Sequence, residues 1–288
     1  MASRAALVTG SSSGIGHATA LRLHAAGLVV YATARRAESL ADLAAAGIRT
    51  SRLDVTDDAS MTAVISQITA DHGAVGVLVN NAGFELSGPA EEVSLAEVRR
   101  QFDTNFFGVA RLTQLVIPGM RAHGTGRIIN LSSVFGRFAV PGGAYYAASK
   151  HAVAALSETL RLELGPFGIQ VVLIEPTITR TSLDANIAVA ANQEDGPYAR
   201  FRRDLAAWHA RTYSRPPGTI AGRFAISADD VAAVITRAAT AHRPRARYPV
   251  GTLAYGLFAL RRWLPTPAFD AFVRAQFPVP RPGPGSAG

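Results

Sequence analysis

Residues 5–26 leave few choices of fold. Ala5-Ala-Leu-Val-Thr9 is a short apolar run, Gly10-Ser-Ser-Ser-Gly14-Ile-Gly16 is a glycine-rich turn, and a helical pattern with Ile15, Ala18, Leu21 and Ala25 on one side continues to Ala26. Strand, glycine turn and helix in that order make an anion site. The glycines let the backbone approach a phosphate, and the free N–H groups of the first helical turn face it, with Ser12, Ser13 and Ile15 between the glycines. The spacing is Gly-x-x-x-Gly-x-Gly, not Gly-x-Gly-x-x-Gly. A nucleotide is the ligand this context favours.

The chain repeats the theme. Segments 28–33, 47–53, 75–79, 127–131, 169–174 and 245–251 read as strands, and 56–72, 94–120, 142–164 and 228–242 as helices, the first opening with Asp57 and Asp58 at its positive end. Such alternation predicts an α/β fold: one doubly wound parallel sheet of about seven strands covered on both faces, a single-domain Rossmann fold over 1–288. Asn105 and Gly108 are poor residues for the middle of the 94–120 helix, so a break there is expected to serve a purpose.

Composition narrows the chemistry. A hydrophobic share of 48% with 17% charged residues is that of a globular chain. The absence of cysteine removes disulfides, thiolate nucleophiles and thiolate metal sites, and none of the seven histidines forms a metal-spaced pair, so no metal is expected. The net charge is +8, with arginines gathered at Arg200, Arg202, Arg203 and from Arg237 to Arg262. No aromatic-rich RNA motif or helix-turn-helix pattern accompanies that charge, which therefore reads as a solvated surface and not a nucleic-acid interface. No apolar signal core precedes the glycine turn, and the apolar run 250–260 ends at Arg261-Arg262, too short to span a bilayer. The expectation is a cytoplasmic protein.

Tyr146 and Lys150 stand four apart on the 142–164 helix, one turn from each other on the same face, with Ser133 thirteen residues before the tyrosine. A cation that close lowers a phenol toward neutrality, where it can give a proton to a carbonyl oxygen or take one from an alcohol. An exposed helix pair has the same spacing. What distinguishes the two is whether a cofactor site and a proton path accompany it. Ala34-Arg35-Arg36 at the end of the second strand lacks the acid that reads a free 2′-hydroxyl and supplies arginines for a 2′-phosphate, favouring NADP(H) over NAD(H). Asp54 and Val55 follow the third strand, beside where adenine would lie.

Together these residues resemble the short-chain dehydrogenase/reductase family in its TGxxxGxG form. The resemblance rests on Thr9-Gly10-Ser-Ser-Ser-Gly14-Ile-Gly16, Asn80-Asn81-Ala82-Gly83, Asn105, Ser133 and Tyr146-x-x-x-Lys150, in the family's order over about residues 5–182. It implies Tyr146 as general acid or base, Ser133 on the substrate oxygen, and Lys150 lowering the tyrosine's pKa while holding the nicotinamide ribose. Asn105 would keep a water that links Lys150 to solvent. It further implies Gly10–Gly16 on the pyrophosphate, Arg35 and Arg36 at the 2′-phosphate, and Asp54, Val55, Asn81, Ala82 and Gly83 on the adenosine side. Pro176, Thr177, Thr179 and Thr181 would lie along the nicotinamide. The family usually has Pro-Gly where this chain has Pro176-Thr177, so that loop is expected to be shaped differently. Ser13 stands where some NADP-preferring members carry a basic residue. A homodimer or homotetramer through the Asn105 and Tyr146 helices is also implied.

Beyond this core, 183–226 reads as a substrate lid carrying Leu183, Ile187, Val189, Tyr198, Phe201, Trp208 and Tyr213, either walling a pocket or packing inward. With Phe84, Phe135, Phe138 and Val140 it points to a hydrophobic substrate such as a steroid, retinoid or lipid. The 252–277 segment resembles the C-terminal part of hydroxysteroid and retinol dehydrogenase-like members, with Leu253, Leu257, Leu260 and Leu264 expected on one face. That face packs against the domain or a second subunit, or touches an acidic bilayer peripherally. Residues 278–288 read as a disordered tail. The function expected is interconversion of a hydroxyl and a carbonyl with NADP(H). The alternatives are a non-catalytic NADP(H)-sensing regulatory or scaffold protein and a double-bond reductase on the same fold.

Overall fold

Apolar runs alternating with helices place their strands side by side in one parallel sheet. The computed structural model describes residues 3–180, 187–189, 195–213 and 226–281. In chain order its elements are β1 (Ala5–Thr9), α1 (Gly14–Ala25), β2 (Val29–Ala34), α2 (Ala41–Ala45), β3 (Arg49–Arg52), α3 (Asp58–His72), β4 (Val77–Asn80), β5 (Glu85–Ser87), α4 (Leu95–Phe102), α5 (Gly108–Ala122) and β6 (Gly126–Leu131). Then follow α6 (Ala144–Leu164), β7 (Ile169–Pro176), β8 (Thr179–Arg180), β9 (Ile187–Val189), α7 (Ala199–Tyr213), β10 (Ile226–Ser227), α8 (Ala228–Thr240), β11 (Arg247–Val250), α9 (Thr252–Trp263) and α10 (Thr266–Gln276).

The main sheet has seven strands in the order β3-β2-β1-β4-β6-β7-β11, each neighbouring pair parallel. Its order reverses between β1 and β4, opening a crevice at the strands' carboxyl ends. Both faces are covered. Ala6 and Val8 pack with Leu23, Val231 and Ile235 of α1 and α8, while Ala5 and Leu7 pack with Ile68, Leu112 and Leu160 of α3, α5 and α6. Burial on both sides explains why the strands read as continuous apolar runs.

Three local features aim the crevice. The predicted 94–120 helix is two helices, α4 and α5, joined by a π-helical turn over Asp103–Phe107. A buried polar chain runs from Asn80, whose amide donates to Asn130 Oδ1 at 2.8 Å, to the Asn130 amide, which donates to Ser157 Oγ at 2.9 Å. That chain fixes α6, the helix that carries Tyr146, to the sheet. Glu175, fully buried at the end of β7, accepts a two-pronged bond from Arg137 at 2.8 and 2.9 Å and a third from Arg247 at 2.6 Å. These bonds hold the loop after β6 against β7 and β11.

The C-terminal segment departs from its expected face. Ala254, Leu257, Phe258 and Leu264 of the α9 region pack with Phe269 and Val273 of α10 against Val134 and Phe138, whereas Leu253 and Leu260 are 40% and 37% exposed. A face of Leu253, Leu257, Leu260 and Leu264 is therefore not the one that packs. Helix periodicity alone does not say which of two adjacent stripes meets the domain. No helix among the described residues is long and apolar enough to cross a membrane.

Candidate active site

The glycine turn is built around its own tight contacts. Gly10 and Gly14 hold φ of 68° and 58°, where a side chain would be strained. A Cβ on Gly16 would collide with the Gly10 carbonyl and the Asn81 amide. That amide donates to the Thr9 and Gly10 carbonyls at 2.8 and 3.1 Å, while the Asn81 and Ala82 N–H groups both donate to Thr9 Oγ1 at 3.0 Å. The Asn81-Ala82-Gly83 segment thus clamps the turn. Ser13 makes no side-chain cap on α1, so the first-turn N–H groups beside Ser12, Gly14 and Ile15 remain for a ligand in the cleft.

One cleft of about 570 Å³ runs from this turn past Arg35, Asp54 and Val55 on one side and past Asn81, Ala82, Gly83, Pro176, Thr177 and Thr179 to Ser133, Tyr146 and Lys150 on the other. A dinucleotide fits what it offers: a glycine cradle without room for side chains, uncapped helix N–H groups, and a cation at the β2 end. Asp54 is already engaged, accepting from Thr56 N at 3.0 Å and Thr56 Oγ1 at 2.8 Å. Arg36 is exposed and does not line the cleft. Thr177 keeps an ordinary backbone, since every positive φ among the described residues is a glycine's, and its hydroxyl turns toward Val250 O at 3.4 Å. The tight approach is taken over by Gly251, at φ 92°, whose Cβ would come within 2.8 Å of Thr177 Oγ1. Thr181 and Leu183 lie outside the described residues.

At the chemical end Lys150 is buried and donates to Leu131 O at 3.0 Å, and its ammonium sits 5.6 Å from the Tyr146 ring centre. Burial lowers its pKa to about 8. Tyr146 was expected below its ordinary value. Its pKa is instead raised, by burial first and by the Glu85 charge second, with the Ser133 hydroxyl bond opposing. Tyr146 is half-buried at the cleft wall, and desolvation there together with the Glu85 charge outweighs the Ser133 hydrogen bond. Asn105, in the π turn, clamps Phe84: its Oδ1 accepts from Phe84 N at 3.1 Å and its Nδ2 donates to Phe84 O at 2.9 Å and Ser149 Oγ at 3.2 Å. Only Gly83 separates Asn105 from the lysine, a Cβ there lying 3.1 Å from Asn105 Oδ1 and 3.7 Å from Lys150 Nζ. Tyr145 faces away and donates to Ala90 O at 3.1 Å.

Of the expected substrate-pocket residues, Phe84 and Phe135 line the cleft. Phe138 and Val140 do not; they pack behind Phe135 with the C-terminal helices. Within the lid, Phe201 is buried as core, while Trp208 stacks on Phe277 at 5.1 Å. Glu85, Arg100 and Thr104 also line the cleft and were not foreseen. Arg100 and Thr104 stand four apart, one turn from each other on the same helix face. Glu85 follows Phe84 with no motif to mark it, and burial raises its pKa to about 7.

Comparison with known proteins agrees with this geometry. The family model for short chain dehydrogenase matches residues 4–192. The chain is 35% identical over 273 residues to the uncharacterized oxidoreductase YbbO of Escherichia coli strain K12, covering 94% of each. It is 35% identical over 263 residues to 3-ketodihydrosphingosine reductase of Bacteroides thetaiotaomicron, covering 90% of this chain and 92% of that one. A short-chain dehydrogenase from Streptomyces avermitilis superposes with a TM-score of 0.77 at 34% identity, over 95% of this chain and 98% of that one.

Proposed function

The chain belongs to the short-chain dehydrogenase/reductase family and is an NAD(P)-dependent oxidoreductase; from that premise we propose that it reduces the carbonyl of a hydrophobic, lipid-like substrate with NADPH. The observation that carries this reading is the meeting of Ser133, Tyr146 and Lys150 with the glycine cradle in a single cleft. When bound, the nicotinamide supplies the hydride in reduction and takes it up in oxidation.

The chain's own residues do the rest. Tyr146 is protonated at neutral pH, as an ordinary tyrosine is, and lines the cleft where it can give that proton to the substrate oxygen. Ser133, bonded to the same hydroxyl, supplies a second donor to that oxygen. Lys150 favours the phenolate that the proton leaves behind and holds the nicotinamide ribose, and Asn105 orders the route by which the proton is replaced. Arg35 receives the 2′-phosphate. Phe84 and Phe135 on the cleft, the latter backed by Phe277, support an apolar substrate, as does the resemblance to a reductase named for 3-ketodihydrosphingosine. Exposed Phe107 (56%) and Leu162 (68%) support assembly of copies through the Asn105 and Tyr146 helices.

The test is fluorescence titration with NADPH and NADH, paired with reduction of long-chain ketones. Wild type binds NADPH at least tenfold tighter, and Arg35→Ala loses about that margin, worth ~1.4 kcal/mol. Tyr146→Phe keeps NADPH binding and loses turnover. Binding with no turnover of any ketone would favour a sensing role instead, and equal affinity for NADH would remove the Arg35 assignment.

A further inference from the structure

Hydroxyl–carbonyl chemistry accounts for Ser133, Tyr146, Lys150 and Asn105, but not for Glu85. Its side chain is 10% exposed, it lines the cleft, and no hydrogen bond reaches its carboxylate from any described residue. The nearest basic group is His209 Nε2 on α7, at 4.0 Å from Glu85 Oε1, beyond hydrogen-bond distance. A carboxylate so buried and so poorly matched is destabilising, and a chain built only to enclose hydrocarbon has no use for one there.

The backbone around it is fixed. Both polar groups of Phe84 are held by Asn105, the Phe84 carbonyl also accepts from Gln101 Nε2 at 2.7 Å, and Glu85 opens the short β5–β9 pairing opposite Ile187. Glu85 is two residues beyond Gly83, and a Cβ on Gly83 would touch Lys150 Nζ at 3.7 Å. Two residues span at most ~7 Å. Its charge also reaches the Tyr146 phenol. The carboxylate therefore lies toward the Tyr146 and Lys150 end of the cleft. The cleft is aromatic as well, lined by Phe84 and by Phe135, which lies 6.3 Å from the Tyr146 ring and is backed by Phe277 at 6.4 Å. On α7, Trp208 meets Phe277 while its neighbour His209 comes to 4.0 Å of Glu85. Such a pocket is amphipathic, with its polar pole next to the chemistry.

We propose that Glu85 is the polar anchor of the substrate pocket and accepts a hydrogen bond from an ammonium or hydroxyl group borne close to the carbonyl of an otherwise apolar substrate. The inference rests on the reductase reading for the identity of the reacting group. It names what that reading leaves open: an amphiphilic amino or hydroxy ketone, not a plain hydrocarbon ketone.

Three ketones of equal chain length test it with wild type, Glu85→Gln and Glu85→Leu: one with an amine on the carbon beside the carbonyl, one with a hydroxyl there, and one unsubstituted. Wild type should favour a donor-bearing ketone over the unsubstituted one by at least tenfold in kcat/KM, and Glu85→Leu should bring that ratio near one. Glu85→Gln separates the two donors. It loses preference for the amine, which needs the negative charge, and keeps preference for the hydroxyl, which needs only an acceptor. A preference that survives in Glu85→Leu, or no preference in wild type, overturns the proposal. Calorimetric binding of the corresponding long-chain amino alcohol, diol and simple alcohol gives the same comparison without turnover. If no ketone is reduced but the amino alcohol or diol still binds at least tenfold tighter in a Glu85-dependent way, the reductase reading fails and the anchor stands. If binding is indifferent to Glu85, the anchor fails whatever the catalysis shows.

Discussion

Replacing Glu85 by the neutral isostere glutamine should make the protein more stable, by an amount that depends on pH in a defined window. Burial moves the Glu85 carboxyl from 4.5 to about 7. Below pH 4.5 it is protonated both folded and unfolded, and contributes no difference. Between 4.5 and 7 the folded protein retains a proton that the unfolded chain has released, so stability falls as pH rises. Above 7 the whole cost is present. At 1.36 kcal/mol per pH unit that interval is worth about 3 kcal/mol, which Glu85→Gln should recover at pH 8 and not at pH 4.5. The assay is urea unfolding of both proteins, free of cofactor, at half-unit steps from pH 4.5 to 8. Taking the difference between the two proteins at each pH cancels every other titrating group except those coupled to Glu85, of which His209 and Tyr146 are the near ones. A His209→Ala background, with and without Glu85→Gln, removes the first. A difference that stays flat across the window, or a variant less stable at pH 8, would falsify the claim that this carboxylate is desolvated.

Other consequences are simpler to read. Gly16→Ala drives a methyl into the Gly10 carbonyl and the Asn81 amide, neither of which can swing aside because each is held by the other. Overpacking of this kind costs ~1–3 kcal/mol, so NADPH affinity should fall roughly ten- to a hundredfold by fluorescence titration; an unchanged Kd would mean the turn is not the pyrophosphate cradle. Phe107→Asp with Leu162→Asp places charges on the exposed faces of the Asn105 and Tyr146 helices. The double variant should elute as a smaller species than wild type in size-exclusion chromatography with light scattering, and identical masses would move the interface elsewhere.

What could be read from the sequence was whatever depends on fixed spacing along one element or on element order. The glycine turn, the Tyr146 and Lys150 pair and the strand–helix alternation are of this kind. Even the break at Asn105 was visible, because asparagine and glycine are poor choices within a helix. What depends on which distant segments meet was not. Phe138 and Val140 were read as pocket because they follow Ser133 closely, yet the loop turns and gives them to the C-terminal helices. Arg36 follows Arg35 by one residue and points outside the cleft. The direction of the Tyr146 shift was misjudged for the same reason: spacing reveals the neighbouring cation, whereas burial is a property of the assembled fold.

The positions that depart from local preference collect at the carboxyl edge of the sheet. A π turn interrupts a helix so that Asn105 can hold Phe84. Thr177 replaces a residue of greater freedom, and Gly251 on the adjacent strand end takes the close approach in its stead. Lys150 is buried with one carbonyl partner, and its pKa falls accordingly. In the proposed function each of these has a use in gripping a dinucleotide or moving a proton. Glu85 shares their location and their energetic penalty, but neither the cradle nor the proton path needs it. A destabilising group that the common chemistry does not require must earn its place through what differs between members of the fold, and at this position that is the substrate. The same carboxylate that lowers stability above pH 7 is therefore the residue by which this pocket would tell an amphiphile from a hydrocarbon.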